Sequence, residues 1–229
     1  MDREMRSKVV RRVVQVVLTT AFQAVILFLA AGTLAWSWAW AFLALYLLGV
    51  ATSGVLLMRS SPQTVAERGR AEGMRDWDKV VGGLFGVVFF IGIPLVAGLD
   101  QRLGWTSMEL GLHLVGGTLF RLGFALFVWS MVVTAHFATV VRVGEEGKHR
   151  VCDRGPYRLV RHPGYVGAIL QAVGIAMLLG SWWAVLAGGV AAALLVVRTV
   201  LEDRDLRRDL AGYAEYAGRV RHRLLPGIW

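Results

Sequence analysis

The sequence predicts an all-α, polytopic membrane protein: a helical bundle of about six spans, the last two a short hairpin, with a cytosolic C-terminal amphipathic helix. Three observations predict it. Of 229 residues, 56% are hydrophobic and only 18% charged, with a mean hydropathy of +0.55. Soluble domains carry about 25% charged residues, so this much apolar surface cannot be hidden in a water-soluble core. Long uncharged runs recur along the chain, and the loops between them alternate between rich and poor in Lys and Arg. Nine tryptophans fit the same class, because indole favours the membrane–water interface.

Met1 to Arg12 is basic and leads into Val13–Trp36, 24 residues without a charge. A signal peptide has an apolar core of about 7–15 residues and a small-x-small cleavage site, so this run reads as the first span. Ser37–Met58 and Val80–Leu99 follow, also uncharged, and Leu110–Thr134 carries one charge, Arg121. Each reaches the roughly 20 apolar residues that a membrane helix needs. Pro163–Val197 is a 35-residue uncharged run, too long for one span and short for two. Gly180-Ser181 marks a tight turn dividing it into Gly164–Leu179 and Trp182–Leu201, compact helices that cross only by recruiting flanking residues or thinning the bilayer. Beyond Glu202, Leu206, Leu210, Tyr213 and Ala217 recur at helical spacing, giving an amphipathic helix that lies on the membrane or caps a cavity. Two regions result: residues 1–136, the first four spans, and residues 137–229, the loop, hairpin and C-terminal helix.

Lys and Arg number five in the first twelve residues, none around Trp36-Ser37-Trp38, five in Arg59–Lys79 and one in Asp100–Glu109. Six lie in Ala135–His162, none at Gly180-Ser181, and seven from Arg198 onward. The positive-inside rule then places both termini and both long loops in the cytoplasm. The net charge of +9, with 22 Arg against 3 Lys, is explained by this topology and not by nucleic acid, so the expected partner is the lipid bilayer. One cysteine, Cys152, excludes an internal disulfide. No histidine pair has ligand spacing beside a carboxylate or cysteine, so no metal is expected.

Candidate chemistry gathers in three places. The stretch RGPYRLVRHPGY (Arg154–Tyr165) abuts the apolar run. Gly155-Pro156 favours a turn and Pro163 pushes His162 out of helical geometry. Irregular backbone at membrane depth needs burial in protein or a hydrated cavity. A cavity lined by Arg158, Arg161, His162, Tyr157 and Tyr165 would suit a ligand with a carboxylate and an aromatic ring; alternatively, the arginines anchor the loop to anionic headgroups. Arg198 and Glu202, four residues apart on one helical face, either bridge each other or hold a ligand's anionic and cationic groups. Asp203 and Asp205 point elsewhere and read as solvated. Arg121, near mid-span, is a site candidate by its cost in the membrane, while His113 and His136 read as packing or interfacial residues.

The order GPYRLVRHPGYVG, a hairpin with LLGSWW at its turn, then RTVLEDRDL and GYAEYAGRV resembles the isoprenylcysteine carboxyl methyltransferase family, over roughly Phe137 to Trp229. The family belongs to a broader set of integral-membrane methyltransferases that includes phospholipid methyltransferases. The loop PQTVAERGRAEGMRDWDK is similar to the cytosolic loop of bacterial members, which implies a bacterial plasma membrane. The resemblance implies an enzyme that binds S-adenosyl-L-methionine and releases S-adenosyl-L-homocysteine. It implies cofactor contacts at His149, Arg150, Val151, Cys152, Tyr157, His162, Pro163, Gly164, Tyr165 and Glu202. It assigns catalytic roles to Arg198 and Glu202, with Arg198 on the acceptor. A family position often occupied by glutamine falls near Arg142, and the usual Glu-Glu is Glu202-Asp203. The implied acceptor is lipophilic, a carboxylate above all: a prenylated cysteine or a lipophilic acid, with a phospholipid amine or small thiol as the other chemistries. Two other classes share parts of this pattern, an NADPH-dependent membrane reductase of sterol-reductase type and a non-enzymatic membrane protein.

Overall fold

The computed structural model describes residues 3–60, 75–134 and 151–229. The described residues form helices and no strand. In chain order the helices are α1 (Arg3–Ala31), α2 (Ser37–Ser60), α3 (Asp76–Val87), α4 (Ile93–Leu103), α5 (Leu110–Val133), α6 (Pro163–Leu178), α7 (Trp182–Asp209) and α8 (Tyr213–Arg219). A π turn, Val88–Gly92, joins α3 to α4 just before Pro94. The imide nitrogen of Pro94 cannot donate a helical hydrogen bond, and the wider turn absorbs the misfit without breaking the span.

Among the described residues, five helical stretches are long and apolar enough to cross a membrane: Val13–Ala31, Ser37–Leu56, Asp76–Leu103, Leu110–Val133 and Trp182–Asp209. The fifth of the six expected spans, α6, has 16 residues and is shorter. At about 1.5 Å per residue it covers roughly 24 Å, less than a hydrocarbon core of about 30 Å. Three boundaries differ from expectation. The first helix stops at Ala31 and turns at Gly32, whose φ is 68°. The third begins at Asp76, and the last continues to Asp209.

Close backbone contact between α5 and α6 organises the bundle. A Cβ at Gly123 would lie 2.6 Å from the Gly167 carbonyl oxygen, and one at Gly174 would lie 2.5 Å from the Phe120 nitrogen. In lipid, where apolar side chains gain little by leaving the solvent, small residues of this kind bring helices together. The same device docks α4 on α1, where a Cβ at Gly98 would sit 2.6 Å from that of Ala30. Leu27, Phe42, Phe89, Ile93, Phe120, Ile175 and Ala191 fill the core between the helices.

The predicted hairpin turn is present. Gly180 takes a φ of 82°, and the Ser181 hydroxyl caps α7 by accepting from the Ala184 N–H at 3.0 Å. Buried Asp100 ties this end of the bundle together, accepting from the Thr106 N–H at 2.8 Å and from the Thr106 and Ser181 hydroxyls. His113 is a packing residue: Nδ1 lies 2.8 Å from the Leu178 carbonyl oxygen and the ring stacks on Trp38 at 4.2 Å. Arg121 is half-buried on α5 and has no hydrogen bond or ion pair among the described residues. His136 and Arg142 lie outside the described residues. The opposite end, where α3 and α6 begin and α7 finishes, collects the charged side chains.

Candidate functional site

Gly155 opens the site loop with a φ of 55°, and a Cβ there would come within 2.9 Å of Val133 Cγ2, so the turn requires glycine. A 3₁₀ turn, Gly155–Arg158, follows and buries Pro156 and Tyr157. His162 has φ −124° and ψ 59°, outside helical space as its proline neighbour demands, and Pro163 starts α6. The loop therefore delivers His162 and Tyr165 to the head of α6 in one fixed orientation.

There they meet α7. The Tyr165 hydroxyl donates to Glu202 Oε2, and the Arg198 guanidinium lies over the Tyr165 ring with Cζ 5.3 Å from its centroid. The His162 ring stacks parallel to that of Tyr165 at 5.6 Å. His162 Nδ1 is 3.9 Å from Glu202 Oε2 and Nε2 is 3.7 Å from Asp203 Oδ1. Both separations exceed hydrogen-bond range, and Nε2 is buried without a hydrogen-bond partner among the described residues. Arg198 does not bridge Glu202. Its Nε pairs with Asp78 Oδ1 of α3 at 2.7 Å, and both residues are buried.

The expected cavity wall is corrected in part. Arg158 is exposed. Arg161 is buried and committed: Nε and Nη2 donate to the two Asp203 oxygens at 2.7 and 3.2 Å, and Nη1 reaches the Val220 and Arg221 carbonyl oxygens at 2.9 and 3.0 Å. Asp203 and Asp205, expected to be solvated, are buried at 1% and 7% exposure. Asp203 also accepts from the Tyr213 hydroxyl at 2.9 Å, from Arg223 Nε at 3.2 Å and from Arg207 Nε at 3.3 Å. Asp205 accepts from Trp77 Nε1 at 3.0 Å and pairs with Arg75 Nε at 2.9 Å. The cause is that α7 is clasped on several sides at this end, by α3, by the loop before α6 and by the C-terminal segment, so it has no single wet face.

The expected continuous amphipathic helix is likewise corrected. Gly212, with a φ of 80°, ends the run, leaving Leu206 on α7 and Tyr213 and Ala217 on the short α8. Tyr213, Tyr216 and Ala217 pack with Leu206, Leu210, Val220 and Val151 over the site loop. The Tyr216 hydroxyl donates to the Tyr157 carbonyl oxygen at 2.8 Å, so α8 caps the loop. Burial pushes the hydroxyls of Tyr157, Tyr213 and Tyr216 above the usual phenol range, with the Asp203 carboxylate adding to the effect at Tyr213.

Of the residues singled out in the sequence, His162, Tyr165, Arg198 and Glu202 come together, with buried Pro163 and Gly164 opening α6 beside them. Val151 packs under α8, and Cys152 is half-buried with Sγ 3.9 Å from the Val133 carbonyl oxygen. His149 and Arg150 lie outside the described residues. Asp78 is not among those residues, while the sequence places Asp203 in solvent and Tyr213 on an amphipathic helix. Asp78 lies two residues before Val80, the first uncharged residue of the expected span, and its partner Arg198 is remote in sequence, so no local signal marks it.

Residues 112–210 match the phospholipid methyltransferase family model. Over 101 residues the chain is 35% identical to a probable protein-S-isoprenylcysteine O-methyltransferase of Oryza sativa subsp. indica, and to the same degree to that of subsp. japonica. The alignment covers 42% of this chain and 52% of each relative. The chain thus spans about half the length of the curated relatives it matches. The matched segment contains Tyr165, Arg198 and Glu202, and it stops short of α3.

Proposed function

We propose that this chain is a membrane methyltransferase that uses S-adenosyl-L-methionine and methylates a lipophilic acceptor, most readily a carboxylate. The observation that carries the reading is the cluster of Tyr165, His162, Arg198 and Glu202, formed inside the segment that matches a methyltransferase family. The alternation of Lys- and Arg-rich loops supports a cytoplasmic position for this end and for both termini. A water-soluble cofactor would then meet a membrane-dissolved acceptor.

The residues suit that cofactor. Arg161 is offset by Asp203 and Arg198 by Asp78, which leaves Glu202 as a partly exposed carboxylate answered by the neutral Tyr165 hydroxyl. Such a carboxylate favours an ammonium group and hydroxyls, and the unsatisfied His162 Nε2 adds a further polar contact. Tyr157, His162 and Tyr165 offer rings to a purine. When bound, the cofactor supplies an electrophilic methyl group on a sulfonium.

The acceptor side needs orientation more than proton chemistry. A carboxylate is ionised at pH 7, so no general base is required. With the methyl donor held beside Glu202, an acceptor oxygen would take the methyl group, and the electron pair of the bond given up would stay on sulfur. Arg198 holds such a carboxylate without protonating it, because a guanidinium keeps its proton. Alignment, and replacement of water around the nucleophile by fixed groups, supply the acceleration. Calorimetric titration of the detergent-purified protein with S-adenosylhomocysteine tests the reading. Binding that weakens in Glu202→Gln is expected. Binding of NADPH instead would move the chain to the reductases and overturn it.

A further inference from the structure

We propose that Asp78 is a positioning residue for Arg198, so that the first turn of α3 completes the acceptor end of a site otherwise built from α6 and α7. The inference rests on the methyltransferase reading. Asp78 lies outside residues 112–210, so the family match does not reach it and the geometry alone carries the assignment.

Asp78 is fully buried, and its Oδ1 lies 2.7 Å from Arg198 Nε. The pair is held in register by its neighbours. Arg75 pairs with Asp205 and Asp209, and Trp77 Nε1 donates to Asp205. On α7, Arg198, Glu202, Asp205 and Asp209 follow three-to-four spacing, a stripe along one face; Arg75, at the N-cap of α3, and Asp78 and Gly82 within it do the same. The two stripes meet where Gly82 leaves room. A Cβ at Gly82 would lie 3.6 Å from Arg198 Cζ and 3.7 Å from Asp78 Oδ1, so a larger side chain would take the guanidinium's space.

A buried ion pair is a poor stabilising device, because the desolvation cost of two charges offsets their attraction, and apolar replacements of similar volume are often neutral or better. Orientation is what this pair provides. Asp78 stands in ion-pair contact at the Nε edge of the guanidinium, and the Tyr165 ring covers one of its faces. A long, rotamer-rich side chain is thereby reduced to one placement beside Glu202. Asp78 also offsets the arginine's charge, so a carboxylate acceptor is held more by geometry than by net attraction, and a neutral ester product is released without hindrance.

The test uses the full chain in nanodiscs, with S-adenosylhomocysteine affinity measured by calorimetry and kcat and KM measured on a small farnesylated cysteine carboxylate. Asp78→Asn is expected to lower kcat/KM on the order of 10²-fold, the scale of an ångström-level misplacement, while S-adenosylhomocysteine affinity is retained. Asp78→Glu restores part of the loss, and Gly82→Leu, which removes no charge, reproduces it. In an Arg198→Ala background Asp78→Asn adds no further kinetic loss, because the group it positions is gone. Full kcat/KM in Asp78→Asn, or losses that add in the double variant, overturns the proposal. Should Asp78→Asn not fold, Gly82→Leu decides the matter by the same criterion. If the wild type fails to bind S-adenosylhomocysteine or to methylate the probe, the methyltransferase reading fails first and this proposal with it.

Discussion

Removing Arg161 should cost far more than removing Arg158, although the two occupy the same loop and share the same chemistry. Arg161 makes two hydrogen bonds to Asp203 and three to backbone carbonyls of the C-terminal segment, those of Ala217, Val220 and Arg221, at 5% exposure. Arg161→Ala leaves Asp203, at 1% exposure, without its bidentate partner and orphans the Val220 and Arg221 carbonyls. Breaking a buried pair by deleting one member costs about 3–5 kcal/mol. Tyr213, Arg207 and Arg223 remain on Asp203 and hold the loss toward the lower part of that range. For a chain of this size, each kcal/mol moves Tm by about 2–4 °C, so a loss of about 3–4 kcal/mol gives an expected drop of roughly 6–16 °C. Arg161→Lys should fall between, since an ammonium keeps the charge and loses the fork. Thermal unfolding in detergent, followed by exposure of Cys152 to a thiol-reactive dye, gives the readout, with Arg158→Ala as control. A Tm for Arg161→Ala within about 2 °C of the control, less than 1 kcal/mol on the same scale, would show that Asp203 is not the hub described.

Three further outcomes follow from the packing and the buried polar groups. Gly123→Ala places a methyl 2.6 Å from the Gly167 carbonyl oxygen and should destabilise by about 1–3 kcal/mol, whereas Gly83→Ala meets nothing within 4 Å and should be neutral or slightly stabilising; equal Tm values would contradict the α5–α6 contact. Gln23 is fully buried on α1, and neither atom of its amide has a hydrogen-bond partner among the described residues. Gln23→Leu should therefore raise Tm, since an unsatisfied buried amide costs about 1–3 kcal/mol; a lower Tm would mean that the amide is satisfied. For Tyr157, Tyr213 and Tyr216, folded pKa values lie above the unfolded value of about 10, so their contribution is complete below that pH and is lost as pH rises past it. Spectrophotometric titration should show these phenols ionising only as the protein unfolds, and normal ionisation of all five tyrosines in the folded chain would contradict their burial.

The parts of the fold that were legible in the sequence are those with local causes. Uncharged length marks spans, glycine marks the turns at Gly155 and Gly180, and Pro163 sets the geometry of His162. Tyr165 and Glu202 were recoverable because each sits at a recognisable place relative to these signals. Asp78 was not, since a span bounded by its first uncharged residue, Val80, excludes it, and its partner Arg198 is remote in sequence. Asp203 and Asp205 were misread for a related reason. A charged helical end suggests a solvated face, yet here the chain folds back over α7 through Tyr213 and Arg223 and buries those charges among cations. Periodicity joined Leu206 to Ala217 as one helix because it registers spacing and passes over the glycine at 212.

The most direct test of the account is transfer of a radiolabelled methyl group from S-adenosylmethionine to the farnesylated cysteine carboxylate by the membrane-reconstituted chain. Label is predicted to enter the organic phase in a form that base releases as methanol, the mark of a methyl ester, and Glu202→Gln should abolish it. Label confined to the aqueous phase, with folded protein that binds S-adenosylhomocysteine, would contradict the carboxylate acceptor.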